Sequence, residues 1–257
     1  MSIEEQIIQM NSNNKKIVDN SIAIYNKGVE DGEALGRKTE YDTFWDGYQE
    51  NGNRIDYRYA FAGIGWTEKT LLPKYEIKPT YVSGGMFYCC GIVDLKKHIE
   101  DNNIIIDLSK ATNLESLFRG SDVETFGVID TRGCSGIAYI LYGCPNLKSI
   151  DKVILKDDGS QEVGYFATNC HKLENITIEG VIGKTGFTVQ QSTKLSKNSW
   201  ISIINALSST TSGLSITGSL ASVKKAFETS AGANDGNTST EWKALTDTKT
   251  NWTISLV

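Results

Sequence analysis

Leu141-Tyr142-Gly143-Cys144-Pro145-Asn146-Leu147-Lys148-Ser149-Ile150 and Phe166-Ala167-Thr168-Asn169-Cys170-His171-Lys172-Leu173-Glu174-Asn175-Ile176 share one design. A large apolar residue precedes a cysteine, an aliphatic residue follows the cysteine three positions later, and another follows three positions after that. The same small-x-x-aliphatic step occurs in Cys89-x-x-Ile92-x-x-Leu95, Ala111-x-x-Leu114-x-x-Leu117, Gly120-x-x-Val123-x-x-Phe126 and Ser192-x-x-Leu195, with Phe87, Phe118 and Val189 shortly before three of them. The interval from Leu141 to Phe166, and from Phe166 to Val189, falls in the roughly 20–29 residue range of leucine-rich repeats. One such unit cannot bury its own apolar face, whereas stacked units share a continuous core. A binding surface is therefore the first expectation, ahead of a compact catalytic fold.

Strand-like runs follow the step: Ile104-Ile105-Ile106, Val128-Ile129, Val153-Ile154-Leu155 and Ile176-Thr177-Ile178. Short β-rich runs between polar turns are what stacked parallel strands look like. Residues 83–198 are read as an irregular β-solenoid, with the first unit lengthened through Lys96 to Asn103.

Three flanking parts differ from it. In residues 1–39, Ile3, Met10, Ile17 and Ile24 recur every seven positions, with Ile7 between the first two. Val18, Ile22, Tyr25 and Val29 continue a heptad seam. So narrow an apolar face beside Asn13, Lys16 and Asp19 needs a partner chain to cover it. Isoleucine at the seven-step position and at Ile7 favours more than two strands, so a homotrimer is expected, with Asn14 and Ser21 weakening the coil. Residues 40–82 form an aromatic-rich module containing Phe44, Trp45, Tyr57, Phe61 and Trp66, read as a small core. Residues 199–257 are read as an α/β cap. Helical periodicity over Ser199–Leu207 and 219–229, a serine-capped helix from Ser239, and alternation over Leu214–Thr217 and Trp252–Leu256 would close the exposed end of the stack. Ala231–Asn237 reads as a loop. The fold class is α+β.

Composition removes several classes of function. The 257 residues carry a net charge of −5, and the mean hydropathy is −0.27. A nucleic-acid binder would show a basic patch, and no Lys/Arg cluster exceeds two residues, so no nucleic acid is expected as partner. No apolar run nears the roughly 20 residues of a membrane span, so no membrane insertion is expected. The start Met1-Ser2-Ile3-Glu4-Glu5 lacks the basic and apolar regions of a secretory signal. The five cysteines are read as buried thiols, three of them heading repeat units at Cys89, Cys144 and Cys170.

Catalytic constellations are thin. His98 and His171 are the only histidines, and neither has triad spacing. There is no C-x-x-C pair for zinc, no P-loop and no H-E-x-x-H. Gly63-Ile64-Gly65-Trp66 lacks the further glycine of a dinucleotide loop. Asp42, Asp46, Glu50 and Asp56 lie near aromatics, and Asp157-Asp158 precedes Gly159, but no spacing sets two acids across a cleft as glycoside hydrolysis requires. Asp157-Asp158-Gly159 also lacks the further ligands of a calcium loop. No catalytic, metal or cofactor residue is assigned.

The two full units resemble the BspA-type leucine-rich repeat, with its phenylalanine, cysteine, leucine and isoleucine at these steps. Glu40-Tyr41-Asp42-Thr43-Phe44-Trp45-Asp46, Asn51-Gly52-Asn53-Arg54, Tyr59–Trp66 and the closing Asn251-Trp252-Thr253-Ile254-Ser255 resemble repeat proteins of phages and prophages of gut Firmicutes. The resemblance covers most of residues 15 to 257. It implies a non-enzymatic virion-surface or tail-fibre protein. Such a protein is made in the bacterial cytoplasm and carried on the phage particle. It meets a host cell-surface glycan or protein, and joins other virion proteins through its N-terminal segment. A bacterial BspA-like surface adhesin and a glycan-degrading enzyme are the alternatives. The resemblance carries no receptor-contact residue; exposed aromatic and polar residues of the repeat turns are the general candidates.

Overall fold

The computed structural model describes residues 85–91, 93–101, 105–227 and 239–257. The segments 1–39 and 40–82, the residues Ile92 and Ile104, and the loop Ala231–Asn237 lie outside the described residues. Within them the chain is mixed helix and strand, with parallel sheets.

Three strands, β1 (Thr125–Asp130), β2 (Ser149–Ile154) and β3 (Asn175–Glu179), pair in parallel in that order. Phe126, Ile150 and Ile176 stand in register, as do Ile129, Val153 and Ile178. All of these residues are buried, three positions apart in β1 and β2 and two apart in β3, and a register shift between Ile150 and Val153 absorbs the difference. The helix α1 (Leu95–Asp101) occupies the lengthened part of the first unit. Of the expected run Ile104-Ile105-Ile106, Ile105 is exposed and Ile106 is half-buried in an isolated β-bridge.

A second ladder runs where the turns stack. Phe87 N–H donates to Leu117 O at 2.9 Å, Phe118 to Ile140 O at 2.9 Å, Leu141 to Phe166 O at 3.0 Å, Ala167 to Thr188 O at 3.1 Å and Val189 to Thr217 O at 3.0 Å. Each turn thus hydrogen-bonds to the corresponding turn one interval on. The turns are tight because two residues in each lie in the left-handed region, four positions apart. The pairs are Gly85 and Cys89, Ser116 and Gly120, Tyr139 and Gly143, and Tyr165 and Asn169. Glycine enters that region without strain; tyrosine and cysteine do so at a cost of about 1–2 kcal/mol.

The three-residue step in the sequence serves two columns. Val123, Leu147, Leu173 and Leu195 precede a run of backbone bonds that link Glu124, Lys148, Glu174 and Ser196. Leu114 stands in a different column, ahead of the turn, with Ile137 and Val163. All seven of these residues are buried. The buried small residues after the turns are Cys90, Ser121, Cys144, Cys170 and Ser192. The expected heads Cys89 and Gly120 are displaced by one position, because both occupy the left-handed site, and Cys89 is exposed.

Phe87 stacks on Phe118 with centroids 5.1 Å apart, and Phe166 on Phe187 at 4.8 Å, inside the stack. Beyond β3, the helix α2 (Lys197–Ala206) replaces a strand. Its Ser199 Oγ accepts from Ile176 N–H at 3.0 Å and its Ser202 Oγ from Ile178 N–H at 2.8 Å, so the free edge of β3 is covered by hydroxyls. The turn-side ladder instead continues as a second parallel sheet, β4 (Phe187–Thr188), β5 (Leu214–Gly218) and β6 (Trp252–Leu256). The helices α3 (Leu220–Phe227) and α4 (Thr240–Thr246) lie between β5 and β6 in sequence. Trp200, Phe227 and Trp242 form their shared core. Gly218 is needed there: an added Cβ would lie 2.4 Å from the Trp200 ring.

Candidate binding face

The turn ladder also aligns side chains from one turn to the next. The residue just before each second left-handed position forms a row: Tyr88, Arg119, Tyr142, Thr168 and Gln190. The first left-handed positions form a parallel row that ends in Tyr139 and Tyr165. The rows converge on one cluster. Tyr139 and Tyr165 stack face to face at 4.8 Å and 7°. Tyr142 meets Tyr139 edge-on at 5.7 Å. The Arg119 guanidinium lies 5.2 Å from the Tyr139 centroid, 5.3 Å from Tyr142 and 5.9 Å from Tyr88. A cation over ring faces at such distances contributes about 0.5–1 kcal/mol each when exposed.

These rings sit at the surface. Tyr165 is 51% exposed, and Tyr139 and Tyr142 are half-buried. Tyr139 and Tyr165, at φ 59 and φ 51, hold the left-handed conformation that recurs in each turn of the ladder. Glycines at 143 and 164 leave the space around the cluster open, since an added Cβ at either would meet nothing within 4 Å. Thr168 Oγ1, buried in the same row, is the buried side-chain oxygen left without a hydrogen-bond partner among the described residues.

His171 is exposed, and its Nδ1 lies 2.9 Å from Gln191 O. His98 falls in α1. All five cysteines are free thiols. Cys144 donates to Phe118 O at 2.9 Å and Cys170 to Leu141 O at 2.8 Å, and Ser192 Oγ makes the same bond to Ala167 O at 2.6 Å. The Cys170 thiol is held well above its ordinary value, first by its hydrogen bond with Cys144 and then by burial. Burial pushes the Cys134 thiol up to about 12. Such thiols stay protonated and do not act as nucleophiles.

Acids on the strand face pair across units. Lys148 meets Glu124 at 2.6 Å, Lys152 meets Glu179 at 2.6 Å and Lys96 meets Asp151 at 2.7 Å. Asp158 accepts Ser160 N–H at 2.9 Å in a turn, and that backbone bond lowers its pKa. Among the described residues no group of three His, Cys, Asp or Glu side chains converges to hold a metal ion. No helix there is long and apolar enough to cross a membrane. Asp42, Asp46, Glu50 and Asp56 lie outside the described residues. So do the residues assigned to oligomerisation: Ile3, Ile7, Met10, Ile17, Val18, Ile22, Ile24, Tyr25 and Val29.

The spacing in the sequence points to the turns in general and not to Arg119, Tyr139, Tyr142 or Tyr165. The available signal is Tyr139-Ile140-Leu141-Tyr142-Gly143, where two tyrosines flank two buried aliphatics. No protein-family model, curated protein or solved structure matches this chain.

Proposed function

We propose that the chain is a non-enzymatic adhesion protein, built on an irregular leucine-rich-repeat solenoid and borne on a phage particle, that contacts the surface of the bacterial host. The observation that supports this reading is the surface Tyr–Arg cluster, half-buried except for the exposed Tyr165, on a ladder of hydrogen-bonded turns. Recognition faces tend to gather tyrosine and arginine anchors, and a ladder holds them at fixed spacing with little entropy left to lose on binding. The N-terminal seam from Ile3 to Val29 would join three copies and attach them to other virion proteins.

The resemblance of residues 40–66 and 251–255 to phage repeat proteins favours the virion over a bacterial BspA-like adhesin, which would present the same face from a cell. A pull-down of the full chain against host cell-wall fractions, together with assay of purified virions for the chain, tests the proposal. Retention on the wall fraction and co-purification with virions are expected. Failure of both overturns it, and wall binding without virion association transfers it to the bacterial adhesin.

A further inference from the structure

We infer that the face beginning at Tyr165 is a carbohydrate-binding strip, on which a sugar ring stacks against Tyr165 and the chain of sugars continues over a hydroxyl-bearing sheet. The inference rests on the adhesion reading above and names the class of receptor it meets.

The aromatic stack is interrupted just where a ligand ring would extend it. Tyr139 covers one face of the Tyr165 ring at 4.8 Å. On the far side the ladder neighbour in the next turn is a glycine. Tyr165 N–H donates to Gly186 O at 3.0 Å, so Gly186 is the neighbour there. The register partner Phe187 instead turns inward onto Phe166 and is buried. An added Cβ on Gly186 would meet nothing nearer than Gly164 Cα at 3.7 Å. The 51% exposure of Tyr165 is consistent with one open ring face.

Past Gly186 the surface changes to hydroxyls. Phe187, Ile216 and Ile254 stand in register on β4, β5 and β6. The alternate positions on β5 and β6 are Ser215 paired with Thr253 and Thr217 paired with Ser255. Ser215, Thr253 and Ser255 are exposed. Thr185 Oγ1 lies 3.2 Å from Ser215 Oγ, which fixes the first hydroxyl pair beside Gly186. Strand spacing of about 4.8 Å sets successive hydroxyls at about the width of a sugar ring.

This layout fits a sugar better than a peptide or a base. A pyranose presents a patch of C–H bonds to the electron-rich face of an aromatic ring and a rim of hydroxyls that need donors and acceptors. A protein hot spot wants a desolvated apolar pocket, and the rim here is Gly, Ser and Thr. Nucleic acid wants a basic stripe, and the chain carries a net charge of −5.

The test uses the full chain on cells of a gut Firmicute in three states: untreated, periodate-oxidised to cleave sugar diols, and protease-shaved. The parent should bind untreated and shaved cells and lose oxidised ones. Tyr165→Ala should weaken binding about ten-fold, the effect of roughly one lost stacking contact. Tyr165→Trp should restore it, and Ser215→Val with Thr253→Val should weaken it. Tyr165→Asn guards against a folding artefact, since asparagine tolerates positive φ; it should melt no lower than the parent and bind as weakly as the alanine variant. If either Tyr165→Ala or Tyr165→Asn binds like the parent, the strip is wrong while the adhesion reading stands. Binding that survives periodate and is lost on shaving makes the receptor a protein and overturns the sugar assignment alone. A parent that binds no surface overturns the adhesion reading and the strip with it.

Discussion

Cys144, Cys170 and Ser192 show how a single side chain can set a repeat. In each unit the chain turns so sharply that one carbonyl of the previous unit points inward, where strand pairing does not reach it. A thiol or hydroxyl one interval later donates to it, at 2.8 Å from Cys170 to Leu141 O and 2.6 Å from Ser192 to Ala167 O. The residue must be small, because it is fully buried, and it must donate. Cys170→Ala should therefore lower stability by about 1–2 kcal/mol, since the carbonyl loses its donor and a small void opens. Cys170→Ser should lower it less, because serine makes the same bond at position 192. Urea denaturation of the two variants and the parent checks this; equal losses would show that volume alone matters. The repeated cysteine was legible in the sequence for this reason. Cys89 was not, because adjacency to Cys90 hides which of the two turns inward. Tyr139 and Tyr165 were not legible as a stacked pair either, since their side-chain directions follow from the left-handed backbone at those positions.

At the scale of elements, the strands and helices from Thr125 onward follow their patterns. β1 and β3 contain the runs at Val128 and Ile176, and β2 overlaps the run at Val153 but starts at Ser149 and stops before Leu155. The helix from Lys197 begins behind Ser196, whose hydroxyl accepts from Ser199 N–H. Their relation to one another was less legible. Nothing in Ser199-Trp200-Ile201-Ser202 announces that two serines at helical spacing will serve the edge of a strand. The N–H groups of Ile176 and Ile178 on that edge donate to the Ser199 and Ser202 hydroxyls. Replacing both serines with alanine should cost about 1–3 kcal/mol in all. It should also speed amide exchange at Ile176 and Ile178 relative to β1. Unchanged exchange there would mean that water serves the edge equally well. Leu114 illustrates the opposite limit: the three-residue step is real at that position, but it belongs to the column before the turn. Spacing within a unit does not state which side of the turn a triplet occupies.

At the scale of the whole molecule, a recognition part and an assembly part would be separate. If the seam of Ile3, Ile7, Met10, Ile17 and Ile24 joins copies, deleting residues 1–36 should leave the stacked units folded and monomeric, while the full chain is a homo-oligomer, a trimer being expected. Light scattering on both forms decides, with circular dichroism to confirm folding. Two monomers, or one shared oligomeric state, would remove that role from the segment. Three copies would also raise the effective concentration of weak sugar sites on a cell surface, so that modest single-site affinity suffices.

The backbone bonds from Phe87 to Val189 have one more consequence, a mechanical one. They run from each turn of chain to the next, along the direction in which the units stack. Tension applied between the two ends of the stack would load these bonds a few at a time, as in opening a zip, and not all together in shear. Such a body yields unit by unit. Each release would free about 25 residues, lengthening the chain by up to roughly 3.5 Å per residue. A protein tethered at one end and attached to a cell at the other would then stretch in small steps under load, with the remaining units still folded.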